Sequence, residues 1–234
     1  MLLPFALLAL ACGGDSAPAD SADANDHSEE VSRSGSDNAA PTADIAGTYT
    51  VTGTNPDGSA YEGGLVVTER GDVYQFSWST GENYEGVGVV SGNAVAVGWG
   101  SAACGAVLYR TADDGSLSGR WALYENESAG TETARRSDGG SGLAGAYAIE
   151  GSNPDATTYA GTLSIEAAGD VYRLAWESGG AYVGQGIALD GLLGTSYGDQ
   201  TCGVAIYRIS GRSLDGTWTT YGADALGTER AVRG

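Results

Sequence analysis

Residues 45–78, IAGTYTVTGTNPDGSAYEGGLVVTERGDVYQFSW, recur as residues 143–176, LAGAYAIEGSNPDATTYAGTLSIEAAGDVYRLAW. The likeness continues through ACGAVLYR (103–110) against TCGVAIYR (201–208) and ends at GTETARR (130–136) against GTERAVR (227–233). With a single gap near Gly115, roughly a third of the aligned positions are identical, which marks a duplicated unit of about 90 residues, large enough to fold alone. Residues kept in both copies report what that fold needs.

Within a copy the apolar period is two, which is the period of a strand. Tyr49 and Val51 alternate with threonines and reappear as Tyr147 and Ile149; Leu65 and Val67 reappear as Leu163 and Ile165. Tyr74, Phe76 and Trp78 follow a Gly71-Asp72 turn and are matched by Tyr172, Leu174 and Trp176 after Gly169-Asp170. About eight such short strands fill each copy, and a meander of that size removes its open edges by closing on itself. The expected fold is all-β: two tandem small antiparallel meander β-barrels, residues 45–136 and 143–233, joined by a linker at 137–142. A pair of open sandwiches is the nearest rival.

Composition agrees, with 39 Gly, 13 Tyr and 5 Trp in 234 residues. Strand glycines suit a small barrel in which a bulky ring needs bare backbone opposite. The net charge of −19 is spread along the chain: about −7 on residues 12–44, −6 on the first copy and −5 on the second. A duplex needs a basic footprint, so nucleic acid is excluded as a partner. All eleven basic residues are Arg. Either a coding bias or a surface adapted to salt accounts for that, and neither bears on function.

The first residues, MLLPFALLALAC, resemble the end of a bacterial lipoprotein signal peptide, although no basic residue precedes the apolar run. That resemblance implies a signal peptide at 1–11, lipidation (palmitate included) at Cys12, and a membrane anchor in the cell envelope, on the outer membrane or cell surface. Residues 12–44 lack large apolar side chains and read as a disordered acidic tether. Two thiols then remain, Cys104 and Cys202, at equivalent positions. In an oxidising compartment they are candidates for a disulfide across a pseudo-two-fold; each also reads as a small buried strand residue.

The final segment places Gly130, Glu132, Ala134 and Arg136 on one face, and Gly227, Glu229, Ala231 and Arg233 repeat it. Such a face is expected to point inward or to a barrel mouth. An inward carboxylate needs a partner, so the kept arginines suggest ion pairs Glu132–Arg110 and Glu229–Arg208. The opening Gly47-x-Tyr49 and Gly145-x-Tyr147, with closing Arg136 and Arg233, resemble the calycin barrels, with Tyr in place of their Trp.

Catalytic chemistry is scarce. The one His, His27, lies in the tether, which removes His-based nucleophilic systems and His-built metal sites from the folded part. Asp57 and Asp155 in Asn-Pro-Asp, and Asp72 and Asp170 in Gly-Asp, read as turn residues. No enzyme, cofactor or metal is expected. Trp78, Tyr84 and Trp121, with Trp176, Tyr182 and Trp218, are the candidate ligand-facing aromatics, to be weighed against a role as plain core. Barrels filled this way are expected to leave little internal volume, so ligands would fall to loops or the outer surface.

The run carried by Gly47, Tyr49, Gly53, Asn55, Pro56, Asp57, Gly58, Tyr61, Gly63, Gly71, Asp72, Tyr74, Trp78, Gly119, Trp121, Gly130, Thr131 and Glu132 resembles small secreted bacterial proteins labelled fibronectin-binding protein. In the second copy Ala156 replaces the turn glycine. The resemblance implies a non-enzymatic lipoprotein displaying two binding modules for a host, matrix or envelope protein, the duplication raising avidity. Two alternatives stand beside it: a carrier of a small apolar ligand, and an envelope structural or inhibitory protein.

Overall fold

The computed structural model describes residues 44–234. The expected signal peptide at 1–11, Cys12 and most of the segment expected to be a tether lie outside the described residues. Sixteen strands are present: β1 (Gly47–Thr54), β2 (Ala60–Arg70), β3 (Val73–Ser79), β4 (Asn83–Ser91), β5 (Ala94–Trp99), β6 (Gly105–Thr111), β7 (Leu117–Leu123) and β8 (Gly130–Arg136) in the first repeat. The second repeat supplies β9 (Gly145–Ser152), β10 (Thr158–Ala168), β11 (Val171–Glu177), β12 (Ala181–Leu189), β13 (Leu192–Tyr197), β14 (Gly203–Ser210), β15 (Ser213–Thr219) and β16 (Gly227–Arg233). They form two closed antiparallel barrels of eight strands each.

The boundaries of those barrels correct the expectation drawn from the repeat. Strands β6 to β13 run consecutively around one barrel, which closes where β6 pairs β13 through Val107↔Thr195 and Tyr109↔Leu193. The other barrel takes β1–β5 from the first repeat and β14–β16 from the second. It closes through β5–β14 (Val97↔Ala205, Val95↔Tyr207) and β1–β16 (Val51↔Ala231). Residues 45–136 and 143–233 are therefore units of duplication and not units of closure. The cause is the repeat itself: β6 and β14 carry similar residues, so periodicity cannot say which of them lies beside β5.

The two connections that change barrels, 100–104 and 198–202, pass close to one another. A Cβ on Gly198 would lie 2.6 Å from the Ala103 carbonyl oxygen, and one on Gly100 would lie 3.0 Å from that of Thr201. Both glycines also have positive φ, +133° and +145° for Gly100 and Gly198, so only glycine fits the crossing. Cys104 and Cys202 join here in a disulfide, with their Cα atoms 5.4 Å apart.

Alternation places the interior as read: Tyr49, Val51, Leu65, Val67, Phe76 and Trp78 fill the first barrel with Val95, Val97, Tyr207, Leu214 and Ala231. Tyr147, Ile149, Leu163, Ile165, Leu174 and Trp176 do so in the second with Val107, Tyr109 and Leu117. A third cluster lies between the barrels, where Val87, Val89, Ala94, Ala96, Val204 and Ile206 meet Ala106, Leu108, Ile187 and Leu192. Strands β5, β6 and β13 are consequently buried on both faces, which explains their continuous apolar runs.

The turns behave as their residues dictate. Asp57 Oδ1 accepts hydrogen bonds from the Ser59 backbone N–H at 2.9 Å and from its hydroxyl at 2.6 Å. Asp72 accepts one from the Ala129 N–H at 2.8 Å and pairs with Arg120. Both aspartates hold loops. Ala156 keeps a φ of +66° where the first copy has Gly58, a local strain in the second repeat.

The disulfide spans 98 positions and encloses the whole contiguous barrel. Replacing both cysteines with Ala is expected to lower stability by about 2–5 kcal/mol, read as a reduced urea midpoint against the oxidised parent. Equal midpoints, or two thiols that label with maleimide in the folded parent, would contradict the staple.

Candidate functional site

Each barrel has one open mouth, and a carboxylate sits at its floor. Glu229 on β16 and Glu132 on β8 are only 7% and 5% exposed. Neither meets an arginine. Glu229 Oε1 accepts hydrogen bonds from the Tyr207 hydroxyl at 2.7 Å and Trp78 Nε1 at 3.0 Å, while Oε2 accepts one from the Tyr61 hydroxyl at 2.8 Å. Glu132 repeats the scheme: Oε1 takes the Tyr109 hydroxyl and Trp176 Nε1 (3.2 Å), and Oε2 takes the Tyr159 hydroxyl at 2.9 Å. Three neutral donors thus satisfy each buried carboxyl group, as burial of a polar group requires.

The expected ion pairs are overturned by strand phase. Tyr109 and Tyr207 point inward, so the next residues, Arg110 and Arg208, point outward. Arg208 reaches Asp190 at 2.6 Å and Asn93 at 3.2 Å on the surface instead. Arg110 is exposed. The inward tyrosines fit because the residues opposite are glycines. A Cβ on Gly119, across from Tyr109, would lie 2.7 Å from its ring.

Electrostatics follow from burial. Desolvation lifts the Glu132 carboxyl above its ordinary value of 4.5, against the lowering effect of the bonds from Tyr109, Tyr159 and Trp176. The Tyr109 and Tyr207 hydroxyls are pushed well upward, first by burial and then by the adjacent carboxylate charge. They remain neutral donors at every physiological pH.

Above each carboxylate lies a pocket of about 310 Å³. In the first barrel its rim is a series of edge-to-face rings. Tyr61 meets Trp218 at 6.2 Å, Trp218 meets Trp99 at 6.2 Å, and Trp99 meets Tyr84 at 5.4 Å between centroids. In the second the same positions give an edge-to-face pair, Tyr159–Trp121 (6.3 Å), and two tilted pairs, Trp121–Tyr197 (6.3 Å) and Tyr197–Tyr182 (4.8 Å). Trp218 and Trp121 approach the wall because Gly227 and Gly130 lie beneath them, where a Cβ would come within about 2.6 Å of the indole. The indole N–H of each is buried beside the neighbouring tyrosine, Tyr61 or Tyr159.

All six aromatics singled out in the sequence line these pockets, but strand exchange regroups them. Trp78 and Tyr84 share a mouth with Trp218, and Trp176 and Tyr182 share the other with Trp121. The expectation of little internal volume is corrected, because the rings crowd the rim and leave the space above the carboxylate open. Sequence reasoning missed Tyr61/Tyr159, Tyr109/Tyr207 and Trp99/Tyr197 as site residues. Their signal was an aromatic at the same place in both copies. At the opposite end of the barrels, Arg233 covers the Tyr49 ring at 5.6 Å and Arg136 covers Tyr147 at 5.2 Å, closing that end.

No protein-family model matches the chain, and no curated protein matches it in sequence. The roles of the mouth residues therefore rest on geometry, which ranks two substitutions. Glu229→Gln puts an amide N–H₂ among three donors and is expected to cost about 1–3 kcal/mol. Arg208→Ala loses a partly exposed pair with Asp190 and a bond to Asn93, and is expected to cost about 1 kcal/mol or less. Thermal or urea melts that reverse this order would restore the ion-pair account.

Proposed function

We propose that this protein is a non-enzymatic, lipid-anchored protein of the cell envelope that binds small ligands in two equivalent barrel mouths. The observation that carries this reading is the pair of matched pockets. Each holds about 310 Å³ above a buried carboxylate, at the lower end of the range of small-molecule sites. Every position lining the second pocket has its repeat equivalent lining the first, from Asn153 and Asn55 at the turns to Glu132 and Glu229 at the floor.

Of the functions open from the sequence, the carrier of a small ligand gains most from this geometry. Adhesion to a matrix protein such as fibronectin gains less. Among the described residues, Val66 and Val232 are the exposed large hydrophobics, and protein interfaces draw their energy from clustered apolar and aromatic anchors. The non-enzymatic reading is supported by the absence of His from the described residues and by the single carboxylate lining each pocket. Acid–base hydrolysis of glycosides calls for two facing carboxylates. The disulfide between Cys104 and Cys202 supports an oxidising location outside the cytoplasm, in keeping with lipidation at Cys12 and an acidic tether over 12–44.

Native mass spectrometry of the protein recovered from its own envelope tests this. The expected result is up to two copies of a small molecule per chain, lost on Trp78→Ala and Trp176→Ala substitution. Recovery of empty protein, with matrix protein captured equally well by parent and double variant, would replace the small-ligand reading with the adhesive one.

A further inference from the structure

Each mouth combines electron-rich rings, one carboxylate and no cationic side chain. Only neutral donors surround each carboxylate, and three of its roughly four acceptor positions are filled. The open one belongs to Oε2 in both barrels, since Oε1 takes two bonds and Oε2 takes one. The tyrosines contribute no compensating charge. An anion entering this space meets the glutamate with no cationic side chain to offset it. A neutral molecule brings the carboxylate no opposite charge. An organic cation gains from the carboxylate and from the rings together, because aromatic faces attract positive charge within about 6 Å.

We propose that the two mouths are receptors for small organic cations, protonated amines or quaternary ammonium groups. The nitrogen seats against Glu229 between Trp78, Trp99 and Trp218 in one barrel, and against Glu132 between Trp176, Trp121 and Tyr197 in the other. This rests on the small-ligand reading above and adds the charge of the ligand to it. The net charge of −19 draws cations toward both openings. A carboxylate serving only to brace the barrel would give pockets indifferent to ligand charge.

Titration of the full chain, followed by tryptophan fluorescence and calorimetry, separates these cases. The probes are choline and three molecules of one shape and different charge: benzylamine, benzyl alcohol and benzoate. Choline and benzylamine are expected to saturate two sites per chain and to bind about tenfold or more tightly than the alcohol, with no response to benzoate. Glu229→Gln is expected to remove that preference at one site and leave the other intact. If that variant fails to fold, the probe series on the parent chain still decides. Equal binding of alcohol and amine would overturn the cation assignment while leaving the small-ligand reading standing. No saturable response to any of the four would overturn both.

Discussion

A strand in a closed barrel must hydrogen-bond to a neighbour on each side, and here the fifth strand of each repeat pairs with the sixth strand of the other. β5 lies against β14, and β13 lies against β6. Everything else is arranged around that exchange. The two barrels share no strand, and they are held together by the two crossing connections at 100–104 and 198–202 and by the apolar cluster between them. The crossing backbones require glycine at 100 and 198, and the disulfide fixes the crossing covalently. An insertion of one complete barrel between β5 and β14 of the other is the same fact described along the chain.

The exchange also composes the sites. Glu229 and Trp218 come from the second repeat, and they face Tyr61, Trp78, Tyr84 and Trp99 from the first. In the contiguous barrel the traffic runs the other way, with Glu132 and Trp121 facing residues of the second repeat. Each mouth is therefore a product of both copies. The near-identity of GTET and GTER in β8 and β16 reads as the shared need for one inward glutamate held by two tyrosines and a tryptophan. The rims have drifted, with Trp99 and Thr220 in one and Tyr197 and Leu123 in the other, so the two pockets offer related but unequal walls.

The sequence was most legible where a strand has one wet face. Tyr49, Val51, Leu65, Val67, Phe76 and Trp78 alternate with polar residues, and their inward orientation follows from spacing alone. It was least legible where both faces are buried. In Gly105–Arg110 every residue up to Tyr109 is buried, so alternation gives no phase, and Arg110 was paired with a carboxylate it does not face. The partner of that carboxylate was hidden for a chemical reason as well. A buried charge prompts a search for an opposite charge, whereas hydroxyl and indole donors leave no charge pattern in a sequence. Strand exchange was invisible because a duplication makes the correct and incorrect neighbours look alike. The disulfide was half visible, as two cysteines at one repeat position.

The pairing of β5 is the claim to test directly, by cross-strand proton contacts in the nuclear Overhauser spectra of isotope-labelled protein. Exchange requires contacts from Val97 to Ala205 and from Val107 to Thr195. Contacts from Val97 to Val107, the equivalent position in its own repeat, would mean that each copy closes by itself, and would dissolve the mixed composition of both mouths.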